Sequence, residues 1–404
     1  MKNLRIAFIA PQPFVENRAT PMANLRIAQI LADAGHAVDV ITLPFGSDPE
    51  YPGIKVCRCR PIPFVRSVGI GFSLAKLLLD INLASRAFAL ARGSKFDCIH
   101  AVEEGAFIGL LLSRFAKAPL VYDMDSVISH EIARSALGRF PPSGWLIRAA
   151  ERLAIRSAAL VVTISDGMAE YVRRIDPSKD VVIVPDIPIS VEGADANRAR
   201  AQMPRKLIEN RKIVMYTGSL AGYQGLDLLV SAMARVTASS PEVVLVLVGG
   251  DEKGVKRLAA LAKGAGVKQV LFMGKRPPDQ IPDFLSAADV LVSPRRGGLN
   301  PPAKIYTYMQ AGKPIVATDI PAHTTVLGRD AAVLIEATPE GIADGILWAL
   351  AHPEEADRRA ARARRIVSEI TPDLQVRRIC EGYERLGARI EASRKPTRGN
   401  VRSE

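Results

Sequence analysis

None of the four cysteines, Cys57, Cys59, Cys98 and Cys380, belongs to a CxxC pair, and none stands among histidines at zinc-site intervals. Neither a disulfide framework nor a structural metal is expected, and the pattern fits a reducing cytoplasm. Histidine is scarce, with five in 404 residues. The stretch HEIAR beginning at His130 is not the HExxH of a zinc hydrolase, so no metal is assigned. No GxGxxG follows the strand-like run that opens either half of the chain, which argues against a dinucleotide-dependent dehydrogenase. Long apolar runs are also missing. Val68 to Ala91 comes nearest but is interrupted by Lys76, Asp80 and Arg86, so no membrane-spanning helix is expected. The opening run Ile6 to Ala10 stops at Pro11 and is too short for a secretory signal. Aromatic residues make up only 5% and do not interleave with the arginines at 139–156 and 358–365. The formal charge of +12 therefore points to phosphate-rich ligands or anionic lipid rather than to nucleic acid.

What is present is a long chain, 48% hydrophobic and 24% charged, enough for two cores. Short aliphatic runs (LRIAFIA, AVDVITL, FDCIHAV, APLVYDM, AALVVTIS) alternate with helix-like segments, and a second such series runs from KIVMYTGS to KPIVATD. This rhythm predicts parallel, doubly wound sheets, an α/β chain with two Rossmann-like domains. The expected divisions are a first domain over residues 1–187, a polar linker over 188–211 and a second domain over 212–365. A C-terminal helix packing back on the first domain, with a disordered basic tail, is expected over 366–404. Open parallel sheets bind ligands at the carboxyl ends of their strands, so the function is sought at those ends, facing a central cleft.

Two segments of the second half stand at such ends. In MYTGSLAGYQGLDLLV, Gly218 and Gly225 bracket a strand-to-helix turn with Ser219 and Gln224 between them. Glycines there let backbone N–H groups approach a phosphate or sugar oxygen, although tight turns also use glycine for steric reasons alone. In SPRRGGLNPPAKIYTYMQAGKPIVATD, a loop carrying Arg295, Arg296, Gly298 and Asn300 leads into a helix with Lys304 and Thr307 in its first turns. Cations and free N–H groups at a helix start suit a diphosphate. In the first half, His100, Glu103 and Glu104 follow one strand end, while Asp123, Asp125 and Ser126 follow the next. Acids at adjacent strand ends point to a wet site. His100 reads equally as a satisfied core histidine. Arg18 and Asn24 are the polar residues that stand out in the stretch after the first strand.

These segments, together with LADAGHAVDVIT, VVTISDGMAEYV, LVLVGGD, VLFMGKRPPDQIPDFLSAADVLVSP and AGKPIVATDIP, resemble glycosyltransferase family 4 over nearly the whole chain. That resemblance implies the GT-B fold, with an acceptor domain over 1–187 and a nucleotide-sugar donor domain over 212–365, and retaining transfer from a nucleoside diphosphate sugar, without a cofactor or metal. It also implies an Arg and a Lys on the glycine turn, and two glutamates eight residues apart, as donor contacts. The matching positions here hold Ser219 and Gln224, then Leu299 and Thr307. The chain thus resembles a divergent member, in which Lys304 with Arg295 or Arg296 would replace the missing cations, and Asn300 and Thr307 would offer neutral hydrogen bonds. A family histidine facing the transferred sugar falls on His100 or Val102. The family's paired glycines after the first strand are absent from PFVENRATPMAN.

The reaction expected is transfer of a sugar from a nucleoside diphosphate sugar to an acceptor hydroxyl. His100, Glu103, Glu104 and Asp125 are the catalytic candidates, and Arg18, Asn24, Asp123 and Ser126 the acceptor contacts. The acceptor is expected to be a glycan or lipid, because RSVGIGFSLAKLLLDINLA and PPSGWLIRAAERLAIRS are apolar and basic enough to lie on an anionic membrane surface. The chain is then cytoplasmic, or peripheral at the inner face of the membrane. A nucleotide-sugar epimerase of the same fold and a nonenzymatic sugar-nucleotide binder stay open as alternatives.

Overall fold

The computed structural model describes residues 3–15, 19–63, 65, 73–133 and 141–394. The chain divides into two compact units, Met1–Pro185 with Pro372–Glu404, and Asp186–Thr371. Arg18 and the tail 395–404 lie outside the described residues.

The first unit is built on seven strands: β1 (Arg5–Ala10), β2 (Ala37–Thr42), β3 (Ile54–Arg58), β4 (Cys98–Val102), β5 (Leu120–Met124), β6 (Leu160–Thr163) and β7 (Val181–Ile183). They pair in the order β3-β2-β1-β4-β5-β6-β7, every pair parallel. The second unit has six: β8 (Lys212–Thr217), β9 (Val243–Val248), β10 (Val270–Gly274), β11 (Val290–Ser293), β12 (Ile315–Thr318) and β13 (Val333–Ile335). Their order is β10-β9-β8-β11-β12-β13, again wholly parallel. Strands such as VVLVLV in β9 are buried at every position, because helices cover both faces of a parallel sheet. In each sheet the strand order reverses once, between β1 and β4 and between β8 and β11, and such reversals open a crevice at the strand carboxyl ends.

The segment 188–211 is not the linker that its polar composition suggests. It forms the short helices Ala196–Arg200 and Arg205–Ile208, and Ala199, Met203 and Ile208 enter the core of the second unit. Asp283 fastens it there, accepting from the Asp195 N–H at 2.8 Å and pairing with Arg198 at 2.7 Å. A few apolar residues at helical spacing suffice to bury a segment whose remaining residues face water.

The helix Pro372–Arg394 belongs to the first unit and buries Ile379, Tyr383, Leu386 and Ile390 along one face. That face packs into the core holding Leu160 and Val182. Arg385 and Arg389 both pair with Asp180, at 2.9 and 2.8 Å.

Candidate functional site

In the second unit β8 ends at Thr217 and β11 at Ser293, side by side where the strand order reverses. The chain leaves β8 through Gly218 and Ser219 and makes a single 3-10 turn, Gly222–Gln224. It enters the helix Leu226–Ser239 at Gly225, whose φ is +72°. A Cβ on Gly225 would lie 1.9 Å from the Pro294 carbonyl oxygen. Only glycine lets this turn touch the loop that follows β11. The Tyr223 carbonyl also accepts the Arg296 N–H at 3.2 Å. The two loops thus form one edge.

The β11 loop leads past Pro302 into the helix Ala303–Ala311, whose start has no side-chain cap. Lys304 in its first turn reaches back under the glycine turn, where a Cβ on Gly218 would come within 3.2 Å of Nζ. Nζ donates to Tyr216 Oη at 2.6 Å and to Gln224 Oε1 at 3.0 Å, and lies 3.8 Å from the Tyr216 ring centroid. Tyr216 Oη donates onward to the Ser219 carbonyl at 2.7 Å. Among the described residues no carboxylate pairs with Lys304. Burial, and then the Arg295 charge, push its pKa well below the usual lysine value.

Arg295 is itself buried and wrapped by its own loop. Nε donates to the Gly297 carbonyl at 3.0 Å, Nη1 to the Asn300 carbonyl at 3.1 Å and Nη2 to Asn300 Oδ1 at 3.0 Å. Its guanidinium lies 5.5 Å from the Tyr223 ring centroid. Its backbone carbonyl accepts from Thr318 Oγ1 at 2.6 Å. Behind Thr318 sits buried His323, with Nδ1 2.9 Å from the Thr318 carbonyl and Nε2 2.9 Å from Ser293 Oγ. A carbonyl only accepts, so Nδ1 carries the proton and Nε2 accepts from Ser293. Burial lowers the His323 pKa to about 4.

Several expected roles change. The side-chain oxygens of Asn300 and Gln224 hold Arg295 and Lys304, which leaves only their amide N–H groups to meet a sugar. Thr307 is buried and accepts the Ile189 N–H at 3.2 Å, so it braces the helix against residues 188–190 rather than presenting its oxygen to a ribose. Arg296 is exposed and paired with Asp227. Ser219 is exposed and accepts the Ala221 N–H at 3.3 Å. Tyr216, Tyr223, Thr318 and His323 join the site without a signal in the sequence. An aromatic inside a strand reads as core, and His323 has no motif around it.

The first-unit candidates divide into an interior group and a strand-end group. His100 is fully buried, stacked on Phe8 at 4.4 Å, with Nδ1 2.7 Å from Tyr383 Oη and Nε2 3.1 Å from Asp123 Oδ2. Nε2–H donates to the carboxylate, so in the neutral imidazole Nδ1 accepts from Tyr383 Oη. The structure thus places His100 and Asp123 in the interior, where every position of β4 and β5 is buried. Asn24 is likewise buried, donating to Gln12 Oε1 at 3.1 Å. The strand-end group is half-buried. Glu103, at φ +49°, accepts from Ser126 Oγ at 2.8 Å, Asp125 precedes Ser126 in sequence, and Glu104 pairs with Lys76 at 2.7 Å. Lys76 also holds Asp80, whose carboxyl burial raises to about 6. Among the described residues no three His, Cys, Asp or Glu side chains are set to hold a metal ion.

Residues 22–186 match the family model of the glycosyl transferase 4-like domain, and residues 211–352 that of glycosyl transferases group 1. The chain is 30% identical over 290 residues to a 2-deoxystreptamine N-acetyl-D-glucosaminyltransferase of Streptomyces fradiae, covering 67% of each chain. It is 24% identical over 404 residues to the phosphatidyl-myo-inositol mannosyltransferase of Mycolicibacterium smegmatis, covering 96% of this chain and 97% of that one. Among solved structures, HepE from Anabaena in complex with UDP and glucose superposes with a TM-score of 0.69 at 18% identity, covering 96% of this chain and all of the other. That last likeness concerns the fold.

Proposed function

The chain belongs to the GT-B glycosyltransferases of family 4 type, and from that premise we propose that it moves a sugar from a nucleoside diphosphate sugar to an acceptor hydroxyl with retention of configuration. The observation that carries the donor half is Lys304, a half-buried cation with only neutral hydrogen-bond partners, beside a second cation and an uncapped helix start. A diphosphate supplies the anion that this arrangement lacks. Charge leaving with the diphosphate is then met by the Lys304 ammonium, the Arg295 guanidinium and the first N–H groups of the helix Ala303–Ala311. These groups are already oriented, so little reorganisation accompanies the reaction.

On the same-face course that the family resemblance implies, the departing phosphate takes the acceptor proton, and a dedicated base is not required. Glu103 and Asp125, at the first unit's strand ends, then orient the acceptor. We read the donor as needing no resident metal, since side-chain cations and the helix dipole perform the neutralisation. The acceptor is proposed to be a lipid or lipid-linked glycan, met at the cytoplasmic face of the membrane. Supporting this are the apolar, basic helices of the first unit and the full-length likeness to a phosphatidyl-myo-inositol mannosyltransferase.

A thermal-shift series with nucleoside diphosphates and their sugars tests the donor half. Stabilisation by one base, lost in Lys304→Met, is the expected outcome. Equal response of wild type and variant removes Lys304 from the site.

A further inference from the structure

In the first unit the helices Leu74–Gly93, Gly105–Ala116 and Pro141–Ser157 are neighbours in one layer. The middle one packs on β4 and β5 and touches both others. Their inner faces are ordinary core, with Leu79, Leu83, Leu112, Ala154 and Ile155 buried. Their outer faces are not ordinary surface. Leu77, Leu78 and Ile81 stand out from the first helix, Leu111 and Phe115 from the second, and Trp145, Leu146 and Leu153 from the third. These are eight of the twelve exposed large hydrophobic side chains among the described residues, with Trp145 65% and Ile81 61% exposed. Such clustering on one layer marks an interaction surface, whereas scattered exposed apolar residues would mean little.

The charges on the same layer have one sign. Arg86, Arg92, Arg114, Arg148, Arg152 and Arg156 are exposed. The only two carboxylates in these helices are withdrawn. Asp80 is held by Lys76, and Glu151 is fully buried, accepting from Ser129 Oγ at 2.6 Å and Tyr171 Oη at 2.9 Å. Apolar and basic groups also mix at close range. Phe115 meets Phe88 edge-on at 5.3 Å, and the Arg92 guanidinium lies 6.0 Å from the Phe115 ring centroid.

We propose that this three-helix face docks on the surface of an anionic lipid bilayer. Side chains such as Trp145, Ile81 and Leu111 enter the headgroup boundary, and the arginines pair with lipid phosphates. A second copy of the chain fits less well, because a self-contact would set this arginine field against itself. Among the described residues no helix is long and apolar enough to cross a membrane, so the face lies on the bilayer and does not span it. The inference deepens the lipid-acceptor reading and rests on it, but it does not depend on the donor reading, so nucleoside diphosphate binding and vesicle binding can fail separately.

Flotation of the full chain tests it, using vesicles of phosphatidylcholine alone and of phosphatidylcholine with phosphatidylglycerol. Wild type is expected to rise with the anionic vesicles at low salt, and to lose about tenfold in binding at high salt as surface charges are screened. Ile81→Glu/Leu111→Glu/Trp145→Glu is expected to stay at the bottom while keeping its circular dichroism and its nucleoside diphosphate binding. Arg148→Glu/Arg152→Glu probes the charges separately and is expected to lose anionic vesicles too. Wild type that fails to float on either vesicle, or variants that float as well as wild type, overturn the proposal. So does a wild-type dimer in sedimentation that the apolar substitutions abolish without any vesicle binding.

Discussion

Lys304 Nζ donates to Tyr216 Oη at 2.6 Å while lying 3.8 Å from the centre of the same ring. The ammonium is held by a hydroxyl dipole and an aromatic face, neither of which cancels its charge. Lys304→Met should therefore keep the fold and weaken nucleoside diphosphate binding roughly 10- to 100-fold, the worth of a charge-assisted hydrogen bond. Tyr216→Phe should cost only a few-fold. Titration calorimetry on both variants checks the ranking.

The lowered pKa of Lys304 gives donor binding a pH dependence. Above that pKa the free protein holds a neutral amine, which must take up a proton when the diphosphate arrives. Affinity is expected to fall with rising pH on the alkaline side, by up to about tenfold per pH unit. Ligand-free stability moves the other way, rising with pH between the lowered pKa and the ordinary lysine value. Lys304→Met should show neither trend, and calorimetry in buffers of different ionisation enthalpy reads the proton uptake directly.

His323 titrates near 4 in the folded chain against 6.5 unfolded. The unfolded state binds the extra proton first, so stability is lost as pH falls through this window, by on the order of 3 kcal/mol in total. His323→Gln should be less stable at neutral pH and should have a flatter acid limb. Urea unfolding across the window measures both effects.

Gly225→Ala sets a methyl against the Pro294 carbonyl at a φ of +72°. We expect at least about 2 kcal/mol of destabilisation from strain and overlap, together with weaker donor binding as the β8 and β11 loops separate. Gly193→Ala, also at positive φ but with nothing within 4 Å of the added carbon, is the control for backbone strain alone.

Tyr383→Phe removes the hydroxyl that donates to His100 Nδ1, leaving a buried acceptor unpaired. The cost should be about 1–3 kcal/mol of stability, with kcat unchanged once the protein is folded. A fall in kcat at full occupancy of the folded state would return His100 to the catalytic site.

The elements were legible because their patterns are local. The helix Ala303–Ala311 follows from the proline before it, the glycine after it and the apolar spacing between, and β9 follows from six aliphatic residues in a row. The loop 295–304 was legible as a place. What its side chains do was not, because each role is fixed by a distant partner. Gln224 stands 80 residues from the lysine it holds, and Tyr383 stands 283 residues from His100. A polar residue near a strand end looks available until the helix that covers it is known. The segment 188–211 misled for the converse reason, since its few buried residues are outnumbered by charged ones.

The second unit is one unbroken stretch of chain, whereas the first is completed only by the helix Pro372–Arg394. During synthesis, the later half of the protein can close its core while the earlier half still lacks Ile379, Tyr383, Leu386 and Ile390. Until that helix leaves the ribosome, β6 and β7 keep apolar surface uncovered, and His100 has no hydroxyl to meet it. The first unit can therefore complete its core only after the whole second unit has been translated, and slow closure of the N-terminal half is the expected consequence.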